Sequence, residues 1–305
     1  MALYADSSLP AVATLAAEGI AVKGLPDAPT TSVVVGVLNL MPLKIPTETD
    51  LLRAFSECDA DVVFRFFTTA THKSRNTPAE HISRFYSCLD ADAIAALDAL
   101  VITGAPVEKI EYADVDYYRE FCGILDEANR RHRPALLLCW AAFAGLFRRY
   151  GLQRTILEKK ISGVYAHDIL LPRHPLTGGL SAPLYAPQSR FVIISGEAVA
   201  AAGADLVAAS TETGVHIAAT PGCDEVFITG HGEYALDTLR NEYERDMSRG
   251  LSPSLPCNYF ADDDPSKPVV DRWQSAGRRI FSNWVSLTAV PRKLAREHRS
   301  EEAVQ

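Results

Sequence analysis

Cys139 stands where the apolar run Ala135-Leu136-Leu137-Leu138 passes without a spacer into Trp140-Ala141-Ala142-Phe143-Ala144-Gly145-Leu146. A buried strand that turns directly into a helix leaves the junction residue on a sharp elbow, its sulfur at the carboxyl end of the sheet and facing a helix amino terminus. Unpaired amides and the helix dipole at such a terminus favour the thiolate, the reactive form of cysteine. Alone, Cys139 reads equally well as a small buried hydrophobe. A second segment changes the balance: residues 225–230 form another short apolar run, which ends in His231-Gly232-Glu233. A histidine just past a strand end, with a carboxylate two residues on, supplies a general base and a group to orient its ring. Each of the other seven histidines reads as a core or surface residue, and His231 alone would too. The joint occurrence of nucleophile, base and orienting acid points to acyl transfer through a thioester, with water, an amine or a hydroxyl as acceptor.

Such residues need a sheet to carry them. The run 32–40, Ser-Val-Val-Val-Gly-Val-Leu-Asn-Leu, is continuously apolar and β-branched, as expected of a central parallel strand covered on both faces. A helix is predicted over 10–18 and another over 47–58, followed by a strand at 62–67 and a polar loop over 68–78, long enough to be functional. A third strand over 97–103 ends in Gly104-Ala105-Pro106 and precedes a helix at 114–131; the fourth strand is 135–138, with the elbow helix running to about residue 150. This alternation predicts an α/β fold with a doubly wound, mostly parallel sheet. Shorter strands at 161–171, 190–194, 205–209 and 215–219 predict a mixed or antiparallel extension, after which the strand before His231 rejoins the main sheet. No repeat or low-complexity linker divides residues 1–305, so a single domain is expected. Ligands of open α/β sheets bind outside the carboxyl ends of the strands. There the segment after Leu40, the Gly104 turn, the Cys139 elbow and His231 should meet.

Composition narrows the classes. A chain of 305 residues that is 48% hydrophobic can bury a sizeable core. A net charge of −8 with no basic run argues against a nucleic-acid surface. The six cysteines show neither a C-x-x-C pair nor zinc spacing, which suggests reduced thiols in the cytoplasm and no metal site. No stretch is long and apolar enough to span a bilayer, and the first residues lack the pattern of a signal peptide.

Several longer segments resemble one family. Asn39-Leu40-Met41-Pro42-Leu43-Lys44-Ile45-Pro46-Thr47-Glu48-Thr49, Arg75-Asn76-Thr77-Pro78-Ala79-Glu80-His81, Thr103-Gly104-Ala105-Pro106, Cys139-Trp140, Ser162-Gly163-Val164-Tyr165, Pro187-Gln188-Ser189-Arg190 and Gly230-His231-Gly232-Glu233-Tyr234 look like the homoserine O-acyltransferases of methionine biosynthesis. The likeness runs over nearly the whole chain and implies a fold similar to class I glutamine amidotransferases. It implies acetylation of the L-homoserine hydroxyl through an acyl-Cys139, with His231 as base and Glu233 holding it. Acetyl-CoA would be a co-substrate, no other cofactor is implied, and homodimers are common in the family. The resemblance places Lys44, with the amide after Cys139, at the developing oxyanion, and Lys160, Ser189 and Arg245 in the amino-acid pocket. By residue type alone, Lys44 and Arg245 would be read as solvated surface charges. In the family, the position of Glu108 separates acyl donors. A glycine there leaves room for a succinyl carboxylate, whereas glutamate fills the space and repels it.

The chain departs from the family pattern at Gly232, where proline is usual, at Phe143 (glutamine), at Ala166 (glutamate) and at Gln188 (histidine). Gly232 is expected to loosen the backbone between His231 and Glu233. These changes leave the chemistry in place and bear on the acceptor: homoserine and serine differ by one methylene, worth only about 1 to 3 kcal/mol of discrimination. L-Serine O-acetylation and succinyl transfer are therefore alternatives. Two readings from other classes are a glutamine-hydrolysing amidotransferase, which would leave Lys44, Glu108 and Arg245 without a shared purpose, and a catalytically inactive binding homologue.

Overall fold

The computed structural model describes residues 1–302, with side chains described through residue 289; the tail expected to be solvated, residues 292–305, lies beyond those side chains. β1 (Leu3–Ala5), α1 (Pro10–Ala17) and β2 (Val22–Gly24) lead into β3 (Val33–Leu38), α2 (Lys44–Ala54) and β4 (Val62–Thr68). Next come α3 (Ala79–Phe85), β5 (Tyr86–Cys88), α4 (Ala91–Ala95), β6 (Ala99–Ile102), α5 (Tyr118–Arg130), β7 (Ala135–Leu138) and α6 (Trp140–Tyr150). The second half contains β8 (Thr155–Ile169), β9 (Leu184–Ile193), α7 (Gly196–Ala201), β10 (Asp205–Ser210), β11 (Gly214–Ala219), β12 (Glu225–Ile228), α8 (Thr238–Ser248) and α9 (Gln274–Glu302).

Among the described residues the strands join in one sheet of order β2-β1-β4-β3-β6-β7-β12-β11-β10-β8-β9, with β5 beside β4. The run β4-β3-β6-β7-β12 is parallel throughout, the strand order of a flavodoxin-like doubly wound sheet. β11, β10, β8 and β9 follow in antiparallel pairing, which is the mixed extension read from sequence. Strand alternation sorts the core into two faces. Val101, Leu136, Leu138, Val226 and Ile228 join the α1, α2 and α9 side, where Phe55, Phe281 and Trp284 pack together. Leu100, Ile102, Leu137 and Phe227 join α5 and α6 on the other. Both faces of each central strand are dry, so its sequence is apolar without alternation.

Several expectations need adjustment. α2 begins at Lys44, three residues before the predicted start; Pro46 in the first turn has no N–H that the helix would need to satisfy. β8 is longer than predicted and β9 begins at Leu184. Part of each is half-exposed, which weakens the apolar signal. β1, β2 and β5 are three residues each, too short to show a period. α9 went unread, although Ile280, Phe281, Trp284 and Val285 share one helical face and Asp271 caps its start by accepting from the Trp273 and Gln274 amides, each at 3.1 Å.

Candidate active site

The four parallel strands β3, β6, β7 and β12 are neighbours, and each delivers one part of the site from its carboxyl end. Cys139 sits between β7 and α6 with φ 48° and ψ −114°, a conformation that costs an ordinary residue on the order of 1 to 3 kcal/mol. The surroundings impose it. The Cys139 amide donates to Ile228 O of β12 at 2.8 Å, and its carbonyl accepts from Phe143 N at 3.2 Å in the first turn of α6. The Gly104 turn lies directly alongside: a Cβ there would stand 3.0 Å from Cys139 Cβ and 3.7 Å from Sγ. Any side chain at position 104 would crowd Cys139.

His231 and Glu233 are both buried, and His231 Nδ1 lies 2.7 Å from Glu233 Oε1. Cys139 lies close enough to act on the charge of the imidazole, and the Tyr234 ring stacks on it with centroids 4.1 Å apart. Burial disfavours a charged imidazole, but Glu233 on one side and Cys139 on the other outweigh it and hold the His231 pKa well above its ordinary value. His231 is therefore held as an imidazolium close to Cys139. Cysteine, histidine and glutamate meet as the sequence predicted.

Gly232 behaves differently from the expectation. It does not loosen the turn, because Gly277 of α9 packs on it: a Cβ at Gly277 would fall 2.3 Å from Gly232 O. Two glycines in contact let the helix hold the His231–Glu233 turn.

Lys44 is buried rather than solvated. It opens α2, its ammonium donates to Asn39 O at 2.5 Å and Met41 O at 3.3 Å, and the amide of Leu40, between them, donates to Thr103 Oγ1 at 2.8 Å. Thr103 immediately precedes Gly104, so Lys44 is tied by this chain of contacts to the elbow's neighbour. Burial lowers its pKa to about 8, opposed in part by Glu48. The long motifs around residues 39–49 and 75–81 interlock here. Thr77 Oγ1 accepts from Lys44 N at 3.2 Å and donates to Pro42 O at 3.0 Å. Buried Glu48 takes His81 Nε2 at 2.8 Å and Tyr86 OH at 2.5 Å, and Asn39 Nδ2 donates to Tyr86 OH at 3.0 Å.

Lys160 and Ser189 also come together, through a residue that sequence reading missed. Glu242 of α8 receives Lys160 Nζ at 3.0 Å, the Ser189 hydroxyl, and Tyr234 OH at 3.3 Å. Burial would raise the Glu242 pKa, yet Lys160 and Ser189 hold it below the usual value. Glu242 looked like one more acid on a charged helix; only its place against Tyr234 sets it apart. Arg245 lies one turn along α8, half-exposed and paired with Asp246 at 2.8 Å, and is not drawn into this cluster. Glu108 is half-buried in the segment after Gly104, where its carbonyl accepts from Arg154 Nε at 2.9 Å. A cavity of about 380 Å³ lined by Arg272, Arg278 and Arg279 includes none of the predicted site residues. Among the described residues no cluster has the makings of a metal site, and no helix is long and apolar enough to cross a membrane.

A strained cysteine at a strand–helix elbow, a carboxylate-held histidine and a polar pocket beside them are equipped to form and break an acyl-cysteine. The chain is similar to a solved glutamine amidotransferase from Thermotoga maritima, with a TM-score of 0.56 over 86% of this chain and 99% of that one at 11% identity, a likeness of fold. It is 41% identical over 251 residues to a homoserine O-acetyltransferase of Bacteroides fragilis, covering 82% of each chain. With a homoserine O-acetyltransferase of Bacteroides thetaiotaomicron it shares 37% identity over 290 residues, 94% of this chain and 95% of the relative. Residues 2–292 match the homoserine O-succinyltransferase family, and the chain belongs to that family of acyltransferases.

Proposed function

We propose that the protein transfers an acetyl group from acetyl-CoA to the side-chain hydroxyl of L-homoserine through an acyl-Cys139, as a step of methionine biosynthesis in the cytoplasm. The observation that carries this reading is the assembled triad, with His231 bonded to Glu233 at 2.7 Å and facing Cys139. Relatives of this chain named homoserine O-acetyltransferase support the choice of substrates. The Cys139 thiolate attacks the thioester carbonyl. As the tetrahedral state collapses, the carbon–sulfur bond to CoA breaks and the departing thiolate takes the proton carried by His231. The neutral imidazole then removes the proton of the acceptor hydroxyl as its oxygen attacks the acetyl-cysteine. Collapse of that second state releases the ester and restores thiolate and imidazolium. The Lys44 ammonium and the amide after Cys139 would stabilise the oxyanion in both states, a contribution of roughly 3 to 4 kcal/mol.

Glu242 suits the α-ammonium of the acceptor and Lys160 its α-carboxylate, which Arg245 would share only by leaving Asp246 and turning toward Lys160. Glu108 excludes a succinyl carboxylate by bulk and charge, so Glu108→Gly is expected to admit succinyl-CoA while reducing preference for acetyl-CoA. Thiol release from acetyl-CoA or succinyl-CoA, each with L-homoserine or L-serine and with Cys139→Ala as the blank, tests the reading. Turnover with acetyl-CoA and homoserine alone supports it. Turnover only with serine moves the acceptor, and no CoA release from any pair overturns the assignment.

A further inference from the structure

The Lys44 ammonium rests on two carbonyls of one loop, Asn39 O at 2.5 Å and Met41 O at 3.3 Å. A compact charge on a flexible four-carbon stem is only as well placed as the groups it donates to. The buried Asn39 side chain closes that loop: its Oδ1 accepts from Met41 N at 3.1 Å, and its Nδ2 donates to Lys44 O at 3.4 Å and to the Tyr86 hydroxyl at 3.0 Å. Tyr86 in turn donates to Glu48 Oε1 at 2.5 Å. Burial and the neighbouring carboxylate hold the phenol pKa well above its ordinary value, so the hydroxyl keeps its proton and can donate to Glu48 while accepting from Asn39. His81 Nε2, 2.8 Å from the same carboxylate oxygen, fixes Glu48 from the other side. The Tyr86 ring is seated separately, 5.7 Å from the Phe66 ring where β5 pairs with β4. Lys44 and Glu48 stand one turn apart on α2 and form no ion pair with each other among the described residues. Tyr86 meets both, with the ammonium 5.5 Å from its ring centre and the carboxylate at its hydroxyl.

We propose that Tyr86, supplied by the short strand β5, is a positioning residue for Lys44: its hydroxyl, anchored on Glu48, fixes Asn39 and with it the carbonyl cradle that aims the ammonium at the acyl carbonyl oxygen. The inference rests on the proposed role of Lys44 as an oxyanion donor. Such a donor lowers the barrier in proportion to how well it is fixed before charge develops. A chain of hydrogen bonds that runs from Glu48 through Tyr86 and Asn39 to Lys44 fixes it without any of the first three touching substrate. Because the aimed ammonium acts on charge that exists only in the tetrahedral states, loosening it lowers kcat and kcat/KM together and leaves KM in place.

The test is a double-mutant cycle on acyl transfer with Tyr86→Phe, Lys44→Met and the double variant, each shown by its thermal melt to be folded at the assay temperature. Tyr86→Phe keeps the ring against Phe66 and removes only the hydroxyl. In the wild-type background it is expected to lower kcat about tenfold with KM unchanged; in the Lys44→Met background, where no ammonium remains to be aimed, the same change should cost less than about twofold. An equal loss in both backgrounds would assign Tyr86 a general structural role and overturn the proposal, as would a Tyr86→Phe enzyme as fast as wild type. Lys44→Met with full activity is a different failure, since it overturns the oxyanion role itself and the proposal with it. If Tyr86→Phe does not fold, Glu48→Gln, of the same size, replaces it in the cycle: a loss confined to the background that retains Lys44 supports the proposal, and an equal loss in both overturns it.

Discussion

Lys44 shows how one side chain trades stability for a site. Its pKa falls from 10.5 to about 8 because the ammonium is buried. The unfolded chain therefore holds that proton more tightly than the folded one. The penalty is present in full below about pH 8 and is relieved as pH rises toward 10.5, a swing of about 3 kcal/mol. Measured by denaturant unfolding between pH 7.5 and 10.5, wild type should gain about that much stability relative to Lys44→Met. At pH 7.5 the same variant should lose roughly 10²- to 10³-fold in kcat/KM for acyl transfer, the usual cost of an oxyanion donor. Equal pH profiles of stability would mean that the fold leaves the Lys44 pKa where the unfolded chain has it, so that burial imposes no penalty on its charge. Cys139 and His231 were legible in the sequence because each follows a recognisable strand, with Glu233 two residues on. Burial of Lys44, and Glu242 as the meeting point of Lys160, Ser189 and Tyr234, were not. Both depend on segments far apart in sequence, and Lys and Glu are solvent-facing residues by type.

Among the elements, α9 has a role that its packing makes clear. It packs against α2 through Phe281 and Trp284 and sets Gly277 against Gly232 in the turn between His231 and Glu233. Gly277→Ala would place a methyl 2.3 Å from Gly232 O, and backbone atoms would have to move. We expect a loss of about 1 to 3 kcal/mol, together with slower acyl transfer and a shifted pH profile as His231 and Glu233 part. Gly123 of α5 provides the control, since a Cβ there meets nothing within 4 Å. Gly123→Ala should stabilise by up to about 1 kcal/mol through helix propensity and leave the rate unchanged. Thermal melts and initial rates on the pair separate a defect in the turn from a general loss of fold. Gly232 itself, expected to add freedom, is instead the partner that allows close approach.

For the whole molecule, one sheet carries two dry faces, and the site lies at the carboxyl ends of its central strands. Trp284 on one face and Phe121 on the other are each fully buried. Trp284→Ala and Phe121→Ala should each cost about 3 to 5 kcal/mol. In a single cooperative unit both would lower one common transition in calorimetry; two resolved transitions would show that the faces unfold separately. The apolar runs at 32–40, 97–103 and 135–138 determined a parallel α/β sheet by themselves, because a strand covered on both sides must be apolar along its length. The abrupt passage from Leu138 to Trp140 and the segment His231-Gly232-Glu233 likewise marked Cys139 and His231 as a candidate nucleophile and base, since local backbone geometry places both just past strand ends. Tertiary structure alone decided that β12 lies beside β7, which brings His231 to Cys139. It also decided that α9 clamps Gly232, that α8 lends Glu242, and that β5 brings Tyr86 between Asn39 and Glu48. Those outcomes rest on contacts between residues some 40 to 100 positions apart, where packing and desolvation rather than local sequence pattern fix what a side chain meets.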